Sequence, residues 1–322
     1  MKILLAPMEG VLDYTLRDLL TRIGGIDLCV SEFIRVSSQL LPASVFRRLV
    51  PELDHAWVTP AGVPVLIQLL GSDPVALGEN ALRAVEMGAS GIDLNFGCPA
   101  KTVNKSRGGA ILLQDPEEVH AITAGVNRAL AGRVPLSAKM RLGFHDKSMA
   151  LENAQALEAA GACQIVVHAR TRLEGYRPPA HWEWIARIRE VVSVPVVANG
   201  EVWTLEDYRR CREISGCDDV MIGRGLIANP FLARQIKRGE QEIDPDRRWP
   251  EVLALLLSYH RMVMARLQAR HVHGRTKQWL QMMKRHHPQA EALFALLRTE
   301  RNPGVMEQHL AQELDRLRAA QV

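Results

Sequence analysis

The sequence predicts an α/β fold: a (β/α)8 TIM barrel followed by a small all-helical C-terminal domain. Three observations predict it. Eight short apolar, β-rich runs recur through the first part of the chain, at residues 3–7, 28–31, 65–70, 91–95, 136–140, 165–168, 195–198 and 220–223. Stretches of helical period separate most of these runs. Near residue 235 the alternation stops, and only helical patterns follow. The runs are continuously apolar rather than alternating, which suits parallel strands covered on both faces. Helical spacing is clear at 74–88, where Leu77, Ala81, Leu82 and Val85 share a face, and again at 117–130, 149–161 and 205–214. Eight strand–helix units without an obvious break favour a closed barrel over a doubly wound open sheet. The polar, proline-punctuated stretch 237–250 reads as a linker. Beyond it, helices are expected at 251–270, 275–286, 290–299 and 305–319, separated by turn signals at His287-Pro288 and Asn302-Pro-Gly304. The expected division is thus a barrel over 1–236, a linker over 237–250 and a helical domain over 251–322.

A chain of 322 residues that is 47% hydrophobic can build one large domain and a small one. No apolar run approaches the ~18–20 residues of a membrane span. The opening residues are too short for a secretory apolar core, so the expected location is the cytoplasm. The five cysteines form neither a C-x-x-C pair nor a metal-like cluster, so free thiols and no metal are expected. Charge is unevenly spread. From Asp246 onward there are 13 Lys and Arg against 7 Asp and Glu, whereas the first 245 residues carry 27 against 29. A near-neutral body with a basic appendage suggests an anionic partner, although a solvated helical face explains the charge equally well.

In a barrel of this kind function gathers where strands end. The first run ends in Ala6-Pro-Met-Glu-Gly10, where backbone can approach a flat ligand. Gln68 is a polar group in an apolar run and needs a partner, structural or ligand. The fourth run ends in the strongest local signal, Asn95-Phe-Gly-Cys-Pro-Ala-Lys101. Cys98, flanked by Gly97 and Pro99 on a loop, can serve as nucleophile, acid or redox group, against the alternative of a structural cysteine in a tight turn. Lys139 lies within an apolar run, where a lysine is almost never fully buried unpaired. His168 ends the next run. Together these two point to a ligand site. The seventh run ends in Asn199-Gly-Glu201 and the eighth in Gly223-Arg-Gly225. Loops after strands seven and eight often bind phosphate in this fold, and Arg224 adds charge. Gly223-Arg-Gly-Leu-Ile-Ala228 also matches a loose dinucleotide pattern. That pattern should open a βαβ unit, whereas here it closes a series of eight. The sum is a phosphate-bearing cofactor on a barrel, with a lysine and a histidine at its head group and one loop cysteine near the substrate. Flavin mononucleotide fits, as any phosphorylated ligand would at the phosphate end.

These residues resemble the tRNA-dihydrouridine synthases. The resemblance is carried by Ala6-Pro-Met8, by Asn95-Phe-Gly-Cys-Pro-Ala-Lys101 with Gly108-Gly-Ala110, and by Lys139-Met-Arg141. Val167-His-Ala-Arg170, Asn199-Gly200 and Gly223-Arg-Gly225 complete it, in the family's order and spacing. It covers nearly the whole chain. The segment Leu4-Leu-Ala-Pro-Met-Glu-Gly-Val11, with Glu32-Phe-Ile-Arg35 and Lys277-Gln-Trp-Leu280, is most similar to the bacterial C-type subfamily, whose members modify uridine 16 of the tRNA D-loop. The resemblance implies FMN held by Pro7, Met8, Glu9, Gln68, Lys139, His168, Asn199, Gly200, Glu201, Gly223 and Arg224, and NADPH as its reductant. It implies hydride transfer from flavin N5 to uracil C6, protonation of C5 by Cys98, and Asn95 holding the uracil. Arg35, Arg275, Lys277 and Arg298 would orient the tRNA. A monomer is expected. Two rivals share parts of this pattern: a flavin barrel acting on a free pyrimidine, and a non-catalytic RNA-binding barrel.

Overall fold

The computed structural model describes residues 1–240 and 243–320. Its strands are β1 (Ile3–Leu5), β2 (Leu28–Val30), β3 (Ile34–Arg35), β4 (Val65–Leu70), β5 (Ile92–Phe96), β6 (Leu136–Arg141), β7 (Gln164–His168), β8 (Val196–Asn199) and β9 (Val220–Ile222). The helices are α1 (Tyr14–Ile23), α2 (Ala43–Leu49), α3 (Pro74–Glu86), α4 (Lys101–Lys105), α5 (Pro116–Leu130), α6 (Ala150–Ala159), α7 (Trp182–Val191), α8 (Leu205–Ser215), α9 (Arg224–Ala228) and α10 (Leu232–Arg238). They continue with α11 (Pro245–Arg266), α12 (Ala269–Met283), α13 (Gln289–Leu297) and α14 (Pro303–Ala319). The strands run parallel in the order β2-β1-β9-β8-β7-β6-β5-β4, and a β2–β4 pairing of Cys29 with Val65 closes the ring. The expected barrel is therefore present among the described residues. β3 pairs with the upper end of β4, Ile34 opposite Leu69, so it continues the barrel's second strand after a three-residue interruption.

Two apolar layers sandwich the strands. Inside the barrel, Leu4, Ala6, Val30, Val166, Val197 and Met221 form a small plug. The outward faces, among them Ile3, Leu5, Ile67, Leu94, Ala138, Ile165 and Ala198, pack under the helix ring. Burial on both faces explains why the runs read as continuously apolar.

The stretch expected as a linker is mostly helical at its far end. Residues 241–242 of that stretch, and 321–322 of the expected helical domain, lie outside the described residues. α11 begins at Pro245, with the Asp244 side chain accepting from the Asp246 N–H. Proline is favoured at a helix's first position, where its missing N–H costs nothing. Pro250 falls inside the helix, yet Trp249 is buried and the Arg248 guanidinium lies 4.6 Å from the Phe231 ring centroid. Of the two prolines that read as breakers, Pro245 starts the helix and Pro250 is tolerated by packing. Trp279 of α12 donates to the Ile227 carbonyl in α9 at 3.0 Å and meets Tyr259 edge-on, docking the C-terminal helices on the barrel.

A buried ion pair fastens α1. Arg17 and Glu52 are both solvent-inaccessible and bond in a fork, at 2.7 and 2.9 Å, while Arg17 also donates to the Leu12 and Leu49 carbonyls. Breaking a buried pair from one side strands a charge. Glu52→Ala should cost about 3–5 kcal/mol in denaturant unfolding. A loss below about 1 kcal/mol, the worth of an exposed pair, would contradict this assignment.

Candidate active site

Register assembles the site. Asn95 on β5 lies opposite Lys139 on β6, Arg141 opposite His168 on β7, and His168 opposite Asn199 on β8. These residues end their strands on the same side of the barrel. They line a cavity of about 280 Å³, together with Ala6, Pro7, Met8, Glu9, Cys98, Gly200, Glu201, Gly223 and Arg224. The structure thus brings ten of the eleven expected cofactor residues to one wall, with Asn95 and Cys98 beside them. Gln68 is the exception. It is fully buried below the cavity, donating to Asp93 at 2.7 Å and accepting from Asn95 Nδ2 at 2.7 Å. That is the structural partner a buried glutamine requires.

Cys98 sits at the cavity wall, 8% exposed, packed with Leu70, Val103, Phe33 and Ala100. Its loop is held at every turn. The Gly97 and Cys98 N–H groups donate to Asn95 Oδ1 at 2.9 and 2.8 Å. The Cys98 carbonyl accepts from Asn104 Nδ2 and from the Ala110 N–H, both at 3.1 Å, and Arg141 Nε donates to the Gly97 carbonyl at 2.9 Å. Gly109, at φ +70°, lies so close that a Cβ there would meet the Cys98 carbonyl at 2.8 Å. Burial pushes the Cys98 thiol above its ordinary value, against a lowering contribution from the Ala100 N–H. The thiol is therefore protonated at neutral pH, the form in which it can act as an acid.

Two polar groups in the cavity wall are left unanswered. Lys139 Nζ has no hydrogen-bond partner among the described residues, and burial followed by the nearby Arg141 lowers its pKa to about 8. His168 is buried with Nδ1 unpaired. Burial, then Arg141 and Lys139, hold it well below the usual histidine value, so it is a neutral imidazole. Lys139 is half-buried, whereas His168 Nδ1 is a fully buried polar atom without a partner, which is rare in folded proteins and marks a place where a ligand is expected.

The rim is an arginine–aromatic assembly. Glu201, at φ +59°, follows Gly200 at φ +121°. Its carboxylate meets Arg170 at 2.5 Å, Arg224 at 3.6 Å and Arg285 at 3.7 Å. Burial is the largest single influence and raises the Glu201 pKa, but the bonds from Arg170 and Trp203 and the charges of Arg170 and Arg224 together keep the carboxyl below the usual range. Arg224 lies 4.6 Å from the Tyr176 ring centroid and 4.9 Å from that of Trp203, and Arg285 lies 3.7 Å from Trp203. Sequence reasoning left Arg141, Tyr176 and Trp203 out of the site. Arg141 carries a usable signal, because a second cation two residues after Lys139 shares its strand face. Tyr176 and Trp203 lie on irregular loops, where no periodicity points inward.

The expected tRNA-orienting residues do not line the cavity. Arg35 and Arg298 are exposed. Arg275 pairs with Asp13 at 2.5 Å and donates to the Gly10 and Val11 carbonyls, tying α12 to the loop after β1. Lys277 donates to the Arg298 and Glu300 carbonyls and braces the end of α13. Among the described residues no helix is long and apolar enough to cross a membrane, and no group of His, Cys, Asp or Glu is arranged to hold a metal.

Residues 4–319 match the family model described as dihydrouridine synthase. The chain is 58% identical over 312 residues to a tRNA-dihydrouridine(16) synthase of Aquipseudomonas alcaligenes, covering 97% of this chain and 99% of that one. It is 53% identical to one of Ralstonia nicotianae, covering 97% of each, and 46% identical to one of Shewanella oneidensis, covering 97% and 100%. Among solved structures it resembles a histamine dehydrogenase from Rhizobium sp. 4-9, with TM-score 0.53 and 15% identity. That match covers 81% of this chain and 49% of the other, and it speaks to the fold alone.

Proposed function

The chain belongs to the dihydrouridine synthase family, and on that premise we propose that it reduces the C5=C6 bond of uridine 16 in the tRNA D-loop. The observation that carries the chemistry is the placement of the Cys98 thiol on the wall of the same cavity as Lys139 and the unpartnered His168 Nδ1. FMN fits the residues present. Lys139 and His168 would meet its ring system, Pro7, Met8 and Glu9 would flank it, and Arg224 with the Asn199–Gly200–Glu201 and Gly223 turns would hold its phosphate. FMN held there, once reduced by NADPH, would supply the hydride for uracil C6. Cys98 supplies the proton for C5. Asn95, beside Cys98, holds the uracil, and Arg141 locks the loop that presents the thiol.

A uracil must leave its stack to enter the cavity, at a cost of a few kcal/mol. Phosphate contacts along the barrel rim and the C-terminal helices would offset that cost and orient the tRNA without reading bases. In this reading the barrel through α10 is the catalytic unit, and the helices from Pro245 onward are the tRNA-facing unit of a monomeric cytoplasmic enzyme. Arg35 and Arg298 would take phosphate directly. Arg275 and Lys277 act through the loops they brace. Reversing both exposed charges, Arg35→Glu with Arg298→Glu, should weaken tRNA binding and lower its salt dependence by about one unit of slope per lost contact. Filter binding across a salt series measures this. An unchanged slope would remove both residues from the interface.

The purified protein should be yellow, and with NADPH it should reduce uridine in tRNA but not free uridine. Equal activity on free uridine would favour a small-molecule pyrimidine reductase.

A further inference from the structure

We propose that Asp93, buried beneath the cavity and out of reach of any substrate, is a positioning residue that sets the Cys98 loop through an oriented chain of side-chain amides. The proposal rests on the reading of Cys98 as the acid.

The chain runs from the barrel interior to the thiol's own backbone. Ser137 Oγ donates to Asp93 Oδ1 at 2.6 Å, and Gln68 Nε2 donates to Asp93 Oδ2 at 2.7 Å. Asn95 Nδ2 donates to Gln68 Oε1 at 2.7 Å, and Asn95 Oδ1 accepts the Gly97 and Cys98 N–H groups. Amide flips are normally a choice of interpretation. Here the chemistry allows one direction only. Backbone N–H groups can only donate, so Asn95 must turn its oxygen to them and its NH2 to Gln68. Gln68 must then answer with its oxygen, leaving its own NH2 for residue 93. The far end has to accept, and a carboxylate does so without competition.

Asp93 is fully buried, and its register partners Gln68 and Ser137 flank it on either side. No cation lies within hydrogen-bond reach of it among the described residues. A carboxyl placed there for stability alone would be a poor choice, because a buried polar group is at best repaid by its hydrogen bonds. Its return is orientation. Without an acceptor at 93 Gln68 can rotate, Asn95 loses its fixed partner, and two of the bonds holding the Cys98 loop slacken. The chain does not require a charge. An asparagine at 93 can turn Oδ1 to Gln68 and its NH2 to Ser137 Oγ, whose hydroxyl can rotate toward the Ile92 carbonyl, 3.5 Å away.

That difference supplies the test, made on flavin-loaded enzyme with three measurements. These are single-turnover reduction of unmodified tRNA, flavin reduction by NADPH, and alkylation of Cys98 by iodoacetamide, followed on its peptide by mass spectrometry. Asp93→Leu should slow tRNA reduction roughly 10²-fold, the cost of about 1 Å of misplacement. It should leave flavin reduction by NADPH unchanged and speed Cys98 alkylation. Asp93→Asn should restore both tRNA reduction and the slow alkylation. If the leucine variant does not accumulate as holoenzyme, Asp93→Val cuts the same link with less bulk. Wild-type tRNA reduction and alkylation in the leucine or valine variant would overturn the proposal. So would an asparagine variant as impaired as the leucine one, which would make Asp93 a countercharge for Lys139. Cys98→Ala is the reference. Full activity there would sink the acid role of Cys98, while the alkylation rates would still report whether Asp93 sets the loop.

Discussion

Cys98→Ala should keep its flavin and its reduction by NADPH, yet form dihydrouridine about 10²- to 10⁴-fold more slowly, the usual worth of a positioned general acid. The expectation follows from where the thiol sits. Burial raises its pKa, so the acid form predominates through neutral pH. The wild-type rate on tRNA should accordingly stay flat from about pH 7 to the ordinary thiol value near 8.5 and fall only above it. A group with a lowered pKa would give the opposite profile, with activity already failing below pH 8. Rapid-quench measurement of dihydrouridine in a single turnover, across pH, separates the two. Undiminished dihydrouridine formation in the alanine variant would remove Cys98 from the chemistry, whatever its place on the cavity wall.

Lys139→Ala should weaken FMN binding about 10- to 100-fold, as expected for a lost charge-assisted hydrogen bond. The pH dependence gives a sharper signature. In the free protein Lys139 titrates at about 8, well below an ordinary lysine, because it is buried beside Arg141. An electron-rich ligand group favours the charged amine, so its pKa rises on binding and the complex takes up a proton above pH 8. Affinity should be greatest below pH 8 and fall as pH rises through it. In Lys139→Ala that fall should vanish. Fluorescence titration of apo-protein with FMN measures both quantities, and an unchanged affinity would place the cofactor elsewhere.

Much of this was legible in the residues. Continuous apolar runs revealed parallel strands because burial on both faces leaves no polar alternation. Lys139 and His168 stood out because each puts an unsatisfied polar group into such a run, and the strand register then brings them together with Asn95 and Asn199. What stayed hidden depends on distance in sequence. Tyr176 and Trp203 reach the rim from loops without period. The role of Asp93 emerges only when β4, β5 and β6 align Gln68, Asp93 and Ser137 side by side. The resemblance implies that Arg275 and Lys277 orient the tRNA, and only the folded chain shows that both also donate to loops far away in sequence. The helix through 245–250 was masked by two prolines, one of which starts it and the other of which tertiary packing tolerates.

The most direct test of the central claim, that this chain reduces uridine 16 of tRNA, is to map dihydrouridine in tRNA from cells lacking the protein, before and after its return. Position 16 should read as unmodified uridine without the protein and as dihydrouridine once the wild-type chain is restored, but not with Cys98→Ala. Dihydrouridine persisting at position 16 in the deleted cells, or failing to return with the wild-type chain, would contradict the account.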